Sequence, residues 1–440
     1  MGARARYAPR VTARFVKHVL DFQCLADRCE DTCCVGLRVP ITEQHLPRMR
    51  EVVAGGPDAE RVAAFVRLNP EAPPAERAVI EMRSDGTCPF LDTTRLCSLH
   101  RVHGPRVLPD PCVTFPRIVW KWNEHVEVAA SLACPEMARR LLLEEGAVDW
   151  VPGPEEEVPR LEVARPLPGE PEDVYRIHAE AIRGAALRLL RRGELPLSSR
   201  LSLLGQLAFR LDAVFRGEEP FAGSAEQAAQ GVTELLRLFE LPEALEAMHQ
   251  DFRALEFPGA PSAGLLASML KARRAVARGE RFGPFVGKVL GSLWGSEEAG
   301  GSPDAAWREY LARWQRLEAL HGPRVEQYFL NYGVNQWLRS PFTEAPGLQA
   351  YVFRLALRVA MLRLTLVGHP DVAALCAQGQ GGSPAPGDAQ AVLDRAAVEC
   401  FYLVSRHVEQ APDVLALVAN MAGTGGMETL GKTFVFAKVC

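Results

Sequence analysis

Lysine is nearly missing from this chain: Lys17, Lys121, Lys271, Lys288, Lys432 and Lys438 are the six among fifty basic residues. The skew matches a G+C-rich genome better than a nucleic-acid surface. Fifty-four acids leave a net charge of −4, whereas a polyanion-binding protein needs a basic excess. Long apolar runs are missing too. No stretch approaches the ~18 consecutive apolar residues of a membrane span, so a membrane protein is not expected. The first twenty residues carry Arg4, Arg6, Arg10, Arg14 and Lys17 and no acid. They lack the apolar core and small-residue cleavage site of a secretory leader. They read as a basic surface arm, and the chain reads as cytoplasmic.

Three metal and nucleotide signatures are also absent. There is no pair of Cys-x2-Cys knuckles, as in zinc ribbons, and no Cys-x3-Cys-x2-Cys run, which Cys29-x3-Cys33-Cys34 only approximates. No spaced glycine turn follows a strand, which excludes an ordinary Rossmann-type nucleotide site. Gly423-Thr-Gly425-Gly426 is the nearest glycine cluster; it follows a helix-like run and reads as a helix–helix turn. No Ser/His/Asp, phosphate-loop or paired-carboxylate motif stands out.

Cysteine is what the sequence does have, and unevenly. Eight of eleven fall in the first 134 residues: Cys24, Cys29, Cys33, Cys34, Cys88, Cys97, Cys112 and Cys134. In a reducing compartment disulfides are a poor explanation, and soft thiolates select zinc or an iron–sulfur cluster. These eight are the candidate metal ligands. Their wide, irregular spacing is more permissive for a cluster than for zinc; zinc, unliganded thiols and a redox relay stay open. Cys88-x8-Cys97 spans a turn that folds its ends together, and Cys134 precedes Pro135 at the start of a helix, where a thiolate is favoured. His100 and His103 follow Cys97 as possible nitrogen ligands. Neighbouring Cys33 and Cys34 do not easily ligate one metal, so one of them serves a second site or a structural role. Cys376, Cys400 and Cys440 sit in apolar helical sequence and read as small buried hydrophobes.

The expected fold is mainly α: a small irregular α+β cysteine-cluster module over residues 15–150, a linker over 151–173 and an all-α helical domain over 174–440. The linker holds six prolines, and seven acids against two arginines, the composition of an extended, solvated segment. In the module, Val35–Ile41 reads as a short strand, Thr42 begins a helix through Val53, and Ile118–Trp122 with His125–Val128 forms a hairpin around Asn123-Glu124. Beyond the linker, Ser199 is placed to cap a helix with Leu201, Leu204, Leu207, Leu211 and Phe215 inward. Ser302-Pro303 opens another, with Trp307, Leu311, Trp314 and Leu317 inward and a stop at Gly322. Leu348 to Leu366 repeats at steps of four and three, a strongly amphipathic pattern that leaves Arg354 and Arg358 on a solvated face. Residues 379–388 read as a loop. Arg406 and His407 fall near the end of an apolar helix, where positive charge suits the dipole.

The segments Phe22-Gln-Cys24, Cys29-Glu-Asp-Thr-Cys33-Cys34-Val-Gly36, Cys88-Pro-Phe-Leu-Asp92, Leu96-Cys97-Ser-Leu-His100, Phe115-Pro-Arg117 and Ser131-Leu-Ala-Cys134-Pro-Glu136 resemble the flagellin lysine-N-methylase family. The stretch from Cys88 to Pro116 also resembles cysteine-cluster proteins of the zinc- or iron-chelating type. The strong likeness covers residues 20–140, with a weaker one at Tyr328-Phe-Leu-Asn-Tyr332 and Ser405-Arg406-His407-Val-Glu409. The resemblance implies methyl transfer from S-adenosylmethionine to a lysine of a protein, flagellin among the candidates, with a [4Fe–4S] cluster on the cysteine module. The rival is a non-catalytic zinc- or iron-binding interaction platform. Tyr328 and Tyr332 lie one helical turn apart and with Glu326 are the candidate catalytic residues. In that reading the tyrosines line a substrate groove and Glu326 takes the lysine proton; otherwise an amphipathic helix simply packs its tyrosines. No residues for binding the methyl donor emerge.

Overall fold

The computed structural model describes residues 12–123, 125–218, 223–295, 301–377 and 386–440. Most of the basic arm, Glu124 of the hairpin turn and most of the expected 379–388 loop lie outside them. The chain divides into two compact units: one runs to Arg140 and resumes over Glu144–Leu167, and the other holds Leu141–Leu143 and Pro168–Cys440.

Among the described residues the first unit carries eight short strands in two sheets: β1 (Thr12–Val16), β2 (Val39–Ile41), β3 (Val66–Leu68), β4 (Ala78–Ile80), β5 (Arg117–Trp122), β6 (His125–Ala130), β7 (Trp150–Gly153) and β8 (Arg165–Pro166). The larger sheet has the order β7-β1-β6-β5-β8. The β5–β6 hairpin pairs Trp122 with His125 in antiparallel register, as the sequence predicts. Next to it, β1 runs parallel to β6, pairing Thr12 with His125, and antiparallel to β7, pairing Ala13 with Gly153. Val126, Val128, Ala129 and Ala130 of β6 are all buried, the pattern of a strand covered on both faces. A Cβ at Gly153 would stand 2.4 Å from the Phe15 ring, so β7 can lie against β1 only with glycine there.

The 151–173 segment supplies β7 and β8 to this sheet. Its prolines suit edge strands, where no ladder N–H is required. The smaller sheet, β2-β4-β3, is antiparallel. It packs with Leu46, Met49 and Val53 of the His45–Val53 helix into an apolar cluster that also holds Cys88, Phe90 and Leu99, with Cys34 and Cys97 at its margin. The expected strand from Val35 shortens to Val39–Ile41, and Val35 makes a single bridge to Thr87.

Among the described residues the regular elements of the second unit are all helical. The Leu348–Val367 helix is buried on nearly every side, because the Leu197–Phe215, Pro303–Arg339, Pro386–Val404 and Met427–Val439 helices all pack against it. Its predicted amphipathic face is therefore corrected to an almost fully enclosed helix. Two further corrections follow. Ser199 lies inside the first turn of the Leu197–Phe215 helix, with Pro196 at the cap, and its Oγ meets His249 Nδ1 at 2.7 Å. Along Pro303–Arg339 the inward face is Ala306, Tyr310, Trp314 and Leu317, and Leu311 is exposed. The stop expected at Gly322 is a kink at His321 (φ −138°), where Pro323 removes a helical N–H. The Gly423–Gly426 turn does join two helices, Pro412–Ala422 and Met427–Val439.

Candidate metal centre

Backbone pairing in the first unit gathers the cysteine-bearing loops. The Cys88 N–H donates to the Cys34 carbonyl at 2.8 Å and the Gly36 N–H to the Gly86 carbonyl at 2.8 Å. Asp92 folds the loop between Cys88 and Cys97: its Oδ1 accepts from the Thr94 hydroxyl (2.6 Å) and from the N–H groups of Thr94 (2.9 Å) and Leu96 (3.1 Å). Leu91 then bridges Cys97, so the two ends meet as the turn signal predicts. Cys97 stands at the start of the Ser98–His103 helix and Cys134 at the start of Pro135–Leu143.

These placements aim peptide N–H groups at sulfur. Asp31 donates toward Cys29, Phe90 toward Cys88, Leu99 and His100 toward Cys97, and Glu136 and Met137 toward Cys134. Such donors stabilise thiolate and tune cluster-bound sulfur.

Burial nevertheless outweighs them. It pushes the Cys88 thiol up to about 11 and the Cys134 thiol up to about 12, and it raises Cys29 and Cys97. Cys34 is held far above the usual thiol range by its hydrogen bond with Cys33, then by burial and by the charges of Cys33, Cys88 and Cys97. Cys112, open to solvent on one side, is raised by the crowding protein and by Cys88, Cys97 and Cys33. The thiols thus feel one another in two overlapping sets: Cys33, Cys34, Cys88, Cys97 and Cys112, and Cys24, Cys29, Cys33 and Cys134. They cannot ionise together without a cation among them.

Among the described residues no three Cys, His, Asp or Glu side chains converge closely enough to grip one ion. The donor chemistry, several thiols close enough to influence one another, fits a soft metal or cluster.

Of the histidines, His100 is exposed. His103 Nε2 stands 3.4 Å from Oδ2 of buried Asp58, whose Oδ1 accepts from Ser98 (2.8 Å) and Arg61 (3.2 Å). Asp58 thus pins the first turn after Cys97. Sequence reasoning missed it, because a lone aspartate at a helix start carries only a capping signal.

In the second unit, Glu326 pairs with buried Arg200. The Tyr328 phenol donates to Asp394, which also accepts from Nε and Nη2 of Arg324 at 2.8 and 2.9 Å. Tyr332 donates to Glu409 at 2.7 Å, and Glu409 also accepts from Ser405 (2.8 Å), Gln336 (3.3 Å) and Arg339 (2.6 Å). Both tyrosines are fully buried, and burial raises both phenols. Glu409 ends a π-helical turn, Ser405–Glu409, a distortion frequent at functional positions. His407 of that turn is buried and stacked 4.7 Å from Phe282. Burial, then the charges of Arg406 and Arg273, lowers it to about 3, so it is neutral and adds no charge to the helix end.

The sequence profile of the FliB lysine N-methylase C-terminal domain matches residues 183–436. The chain belongs to the FliB lysine N-methylase family. The FliB-matched region contains Glu326, Tyr328, Tyr332 and Glu409, whereas all eight clustered cysteines precede it. Similar proteins include a lysine-N-methylase of Salmonella choleraesuis, 30% identical over 132 residues, which are 29% of this chain and 31% of that protein. Another is the flagellar biosynthetic protein FliU of Salmonella muenchen, 27% identical over 132 residues, 29% of this chain and 73% of that protein. A lysine-N-methylase of Salmonella typhimurium is 29% identical over 128 residues, 28% of this chain and 31% of that protein. The matched stretch thus spans about a third of each named methylase. No solved structure matches the chain.

Proposed function

We propose that this chain is a protein lysine N-methyltransferase that uses S-adenosylmethionine, with a [4Fe–4S] cluster on the thiols of its first unit and a lysine of a protein, flagellin among the candidates, as acceptor. The observation that carries this reading is the FliB lysine N-methylase match over residues 183–436. The cluster is supported by the N–H groups aimed at Cys29, Cys88, Cys97 and Cys134.

The acceptor amine must be neutral to attack carbon, and an unperturbed lysine titrates near ~10.4. The protein therefore has to remove one proton and bring nitrogen and methyl carbon to about 3–3.5 Å. When bound, the cluster supplies iron as a Lewis acid and one-electron redox chemistry. Four of the eight clustered thiols, Cys24, Cys29, Cys33, Cys34, Cys88, Cys97, Cys112 and Cys134, would hold it, with at most one of the neighbouring pair Cys33 and Cys34 among them. No helix among the described residues is long and apolar enough to cross a membrane.

The test is anaerobic purification of the full chain after expression with iron, followed by metal and acid-labile sulfide analysis and incubation with labelled S-adenosylmethionine and lysine-bearing proteins of the same cell. Iron, sulfide, a broad band near ~400 nm and label on lysine are the expected results. Stoichiometric zinc with no transfer would establish the interaction platform instead. Replacing Cys97 with Ser should empty the site, whereas Cys376→Ser should leave it filled.

A further inference from the structure

The second unit holds a pocket that none of the candidate catalytic residues lines. It forms where the 169–173 loop and the Val174–Ile177 turn meet the Phe342–Glu344 turn and the entry to the Leu348–Val367 helix. Its volume is about 130 Å³, close to the roughly 150 Å³ of a protein cavity that accommodates benzene. Tyr175 and Phe342 give it an aromatic wall. The Tyr175 ring centroid lies 3.8 Å from that of Phe215 and 5.7 Å from that of Phe342, and its hydroxyl donates to Asp212. Asp212 also accepts the N–H groups of Leu348 and Gln349, each at 3.0 Å. The helix entry beside the pocket therefore already has its anion.

Asp173 and Arg176 are the charged residues in its lining, whereas Glu170, Glu172 and Glu344 are exposed and lie outside it. Among the described residues no ion pair joins Asp173 to Arg176. Asp173 Oδ1 accepts the Tyr175 N–H at 2.8 Å, which occupies one of its two oxygens. Arg176 donates through Nη1 to the Gly169 carbonyl at 2.5 Å, and a guanidinium can serve several acceptors at once. Thr343 lines the pocket as well, and its hydroxyl is buried with no hydrogen-bond partner, a state that native proteins seldom leave unanswered. A carboxylate, a guanidinium and an unpaired hydroxyl thus surround one benzene-sized space. A purely anionic ligand would meet Asp173 there, and a purely cationic one Arg176. The head group of an α-amino acid carries both charges and has as many heavy atoms as benzene.

We propose that this pocket binds the zwitterionic head of an α-amino acid, with its carboxylate on Arg176 and the Thr343 hydroxyl and its ammonium on Asp173. A guanidinium fork matches carboxylate geometry in paired hydrogen bonds, as a point charge does not. That the amino acid is the methionine end of S-adenosylmethionine rests on the methylase reading; the pocket does not.

Titration calorimetry on the full chain decides it, with S-adenosylhomocysteine, L-methionine, and 5′-methylthioadenosine, which keeps the nucleoside but lacks the amino-acid head. S-adenosylhomocysteine should bind at least tenfold tighter than 5′-methylthioadenosine. Asp173→Asn and Arg176→Gln should each remove that advantage and leave the affinity for 5′-methylthioadenosine unchanged. Arg176→Lys should keep part of it, and Thr343→Val should weaken S-adenosylhomocysteine several-fold. Asp173→Asn retains an oxygen for the Tyr175 N–H, so it tests the charge even if Arg176→Gln fails to fold. An advantage that survives both substitutions would overturn the proposal. So would equal, measurable affinity for the two nucleosides, or no binding of either S-adenosylhomocysteine or L-methionine. L-Methionine binding that depends on Asp173 and Arg176, without binding of S-adenosylhomocysteine, upholds the pocket and assigns it to a free amino acid. No arm needs methyl transfer, so binding without methylation sinks only the methylase reading.

Discussion

At Glu409 four donors meet one carboxylate that has no access to water. Burial alone would raise this acid, but the charges of Arg339 and Arg358 overcome it and keep the group ionised. Glu409→Gln strands Arg339 in the interior, a change expected to cost about 3–5 kcal/mol; urea denaturation monitored by circular dichroism measures it. Tyr332→Phe removes one bond to the same carboxylate and should cost about 1–3 kcal/mol. Histidines set the acid limit. His18, buried with Nδ1 on the Ala147 carbonyl at 2.8 Å, is lowered to about 4, chiefly by burial, and His407 to about 3. Unfolded histidine titrates near ~6.5, so between that value and the folded ones the unfolded chain binds more protons. The stabilisation these groups provide is complete above pH ~6.5 and is lost as pH falls toward 4 and then 3. Melting temperature followed from pH 7 to pH 4 should fall, and His407→Phe should flatten the slope; an unchanged slope would contradict the assignment.

Helices and turns with strong local signals were readable from sequence. The Trp122/His125 hairpin, the helix after Cys134-Pro135 and the glycine turn after Ala422 all follow from local chemistry. What failed was facing. Leu311 points outward and Tyr310 inward, and Arg354 is half-buried, because the enclosing helices decide which side of an element meets the core. Periodicity shows a stripe and not its partners. At the glycine turn, Gly425 adopts φ +90° and an added Cβ would lie 2.9 Å from Gln349 Oε1, whereas Gly423, at φ +58°, has open space. Gln349 is also the side chain that receives the Gly426 N–H at 2.8 Å and returns a bond to its carbonyl at 2.9 Å. Gly425→Ala should therefore destabilise more than the ~1 kcal/mol expected for Gly423→Ala. Thermal melts of the two variants compare them, and donor affinity should change in neither.

Across the whole molecule, composition revealed the cysteine-rich and helical halves, since clustering of thiols is visible in one dimension. It did not reveal that residues 150–166 complete the first unit's sheet, because proline-rich edge strands and solvated linkers share a composition. Nor did it reveal Asp58 beside His103 or the carboxylate partners of Tyr328 and Tyr332, which are long-range contacts. A fragment of residues 1–167 should therefore retain metal at the full-length ratio, whereas residues 1–150 lose β7 and β8 and should bind less. Iron per chain after gel filtration distinguishes them. Equal loading would show that the edge strands are dispensable.

The placement of β1 also sets a clock. Its partners are β6 and β7, so Thr12 waits for His125 and Ala13 waits for Gly153. At roughly 5–20 residues per second of synthesis, the ribosome needs roughly 7–30 s between making the first strand and making its second neighbour. During that interval every one of the eight clustered thiols has been synthesised or is emerging, before the sheet is finished. Under the proposed cluster reading, metal delivery therefore competes with oxidation on a nascent chain whose first sheet is still incomplete.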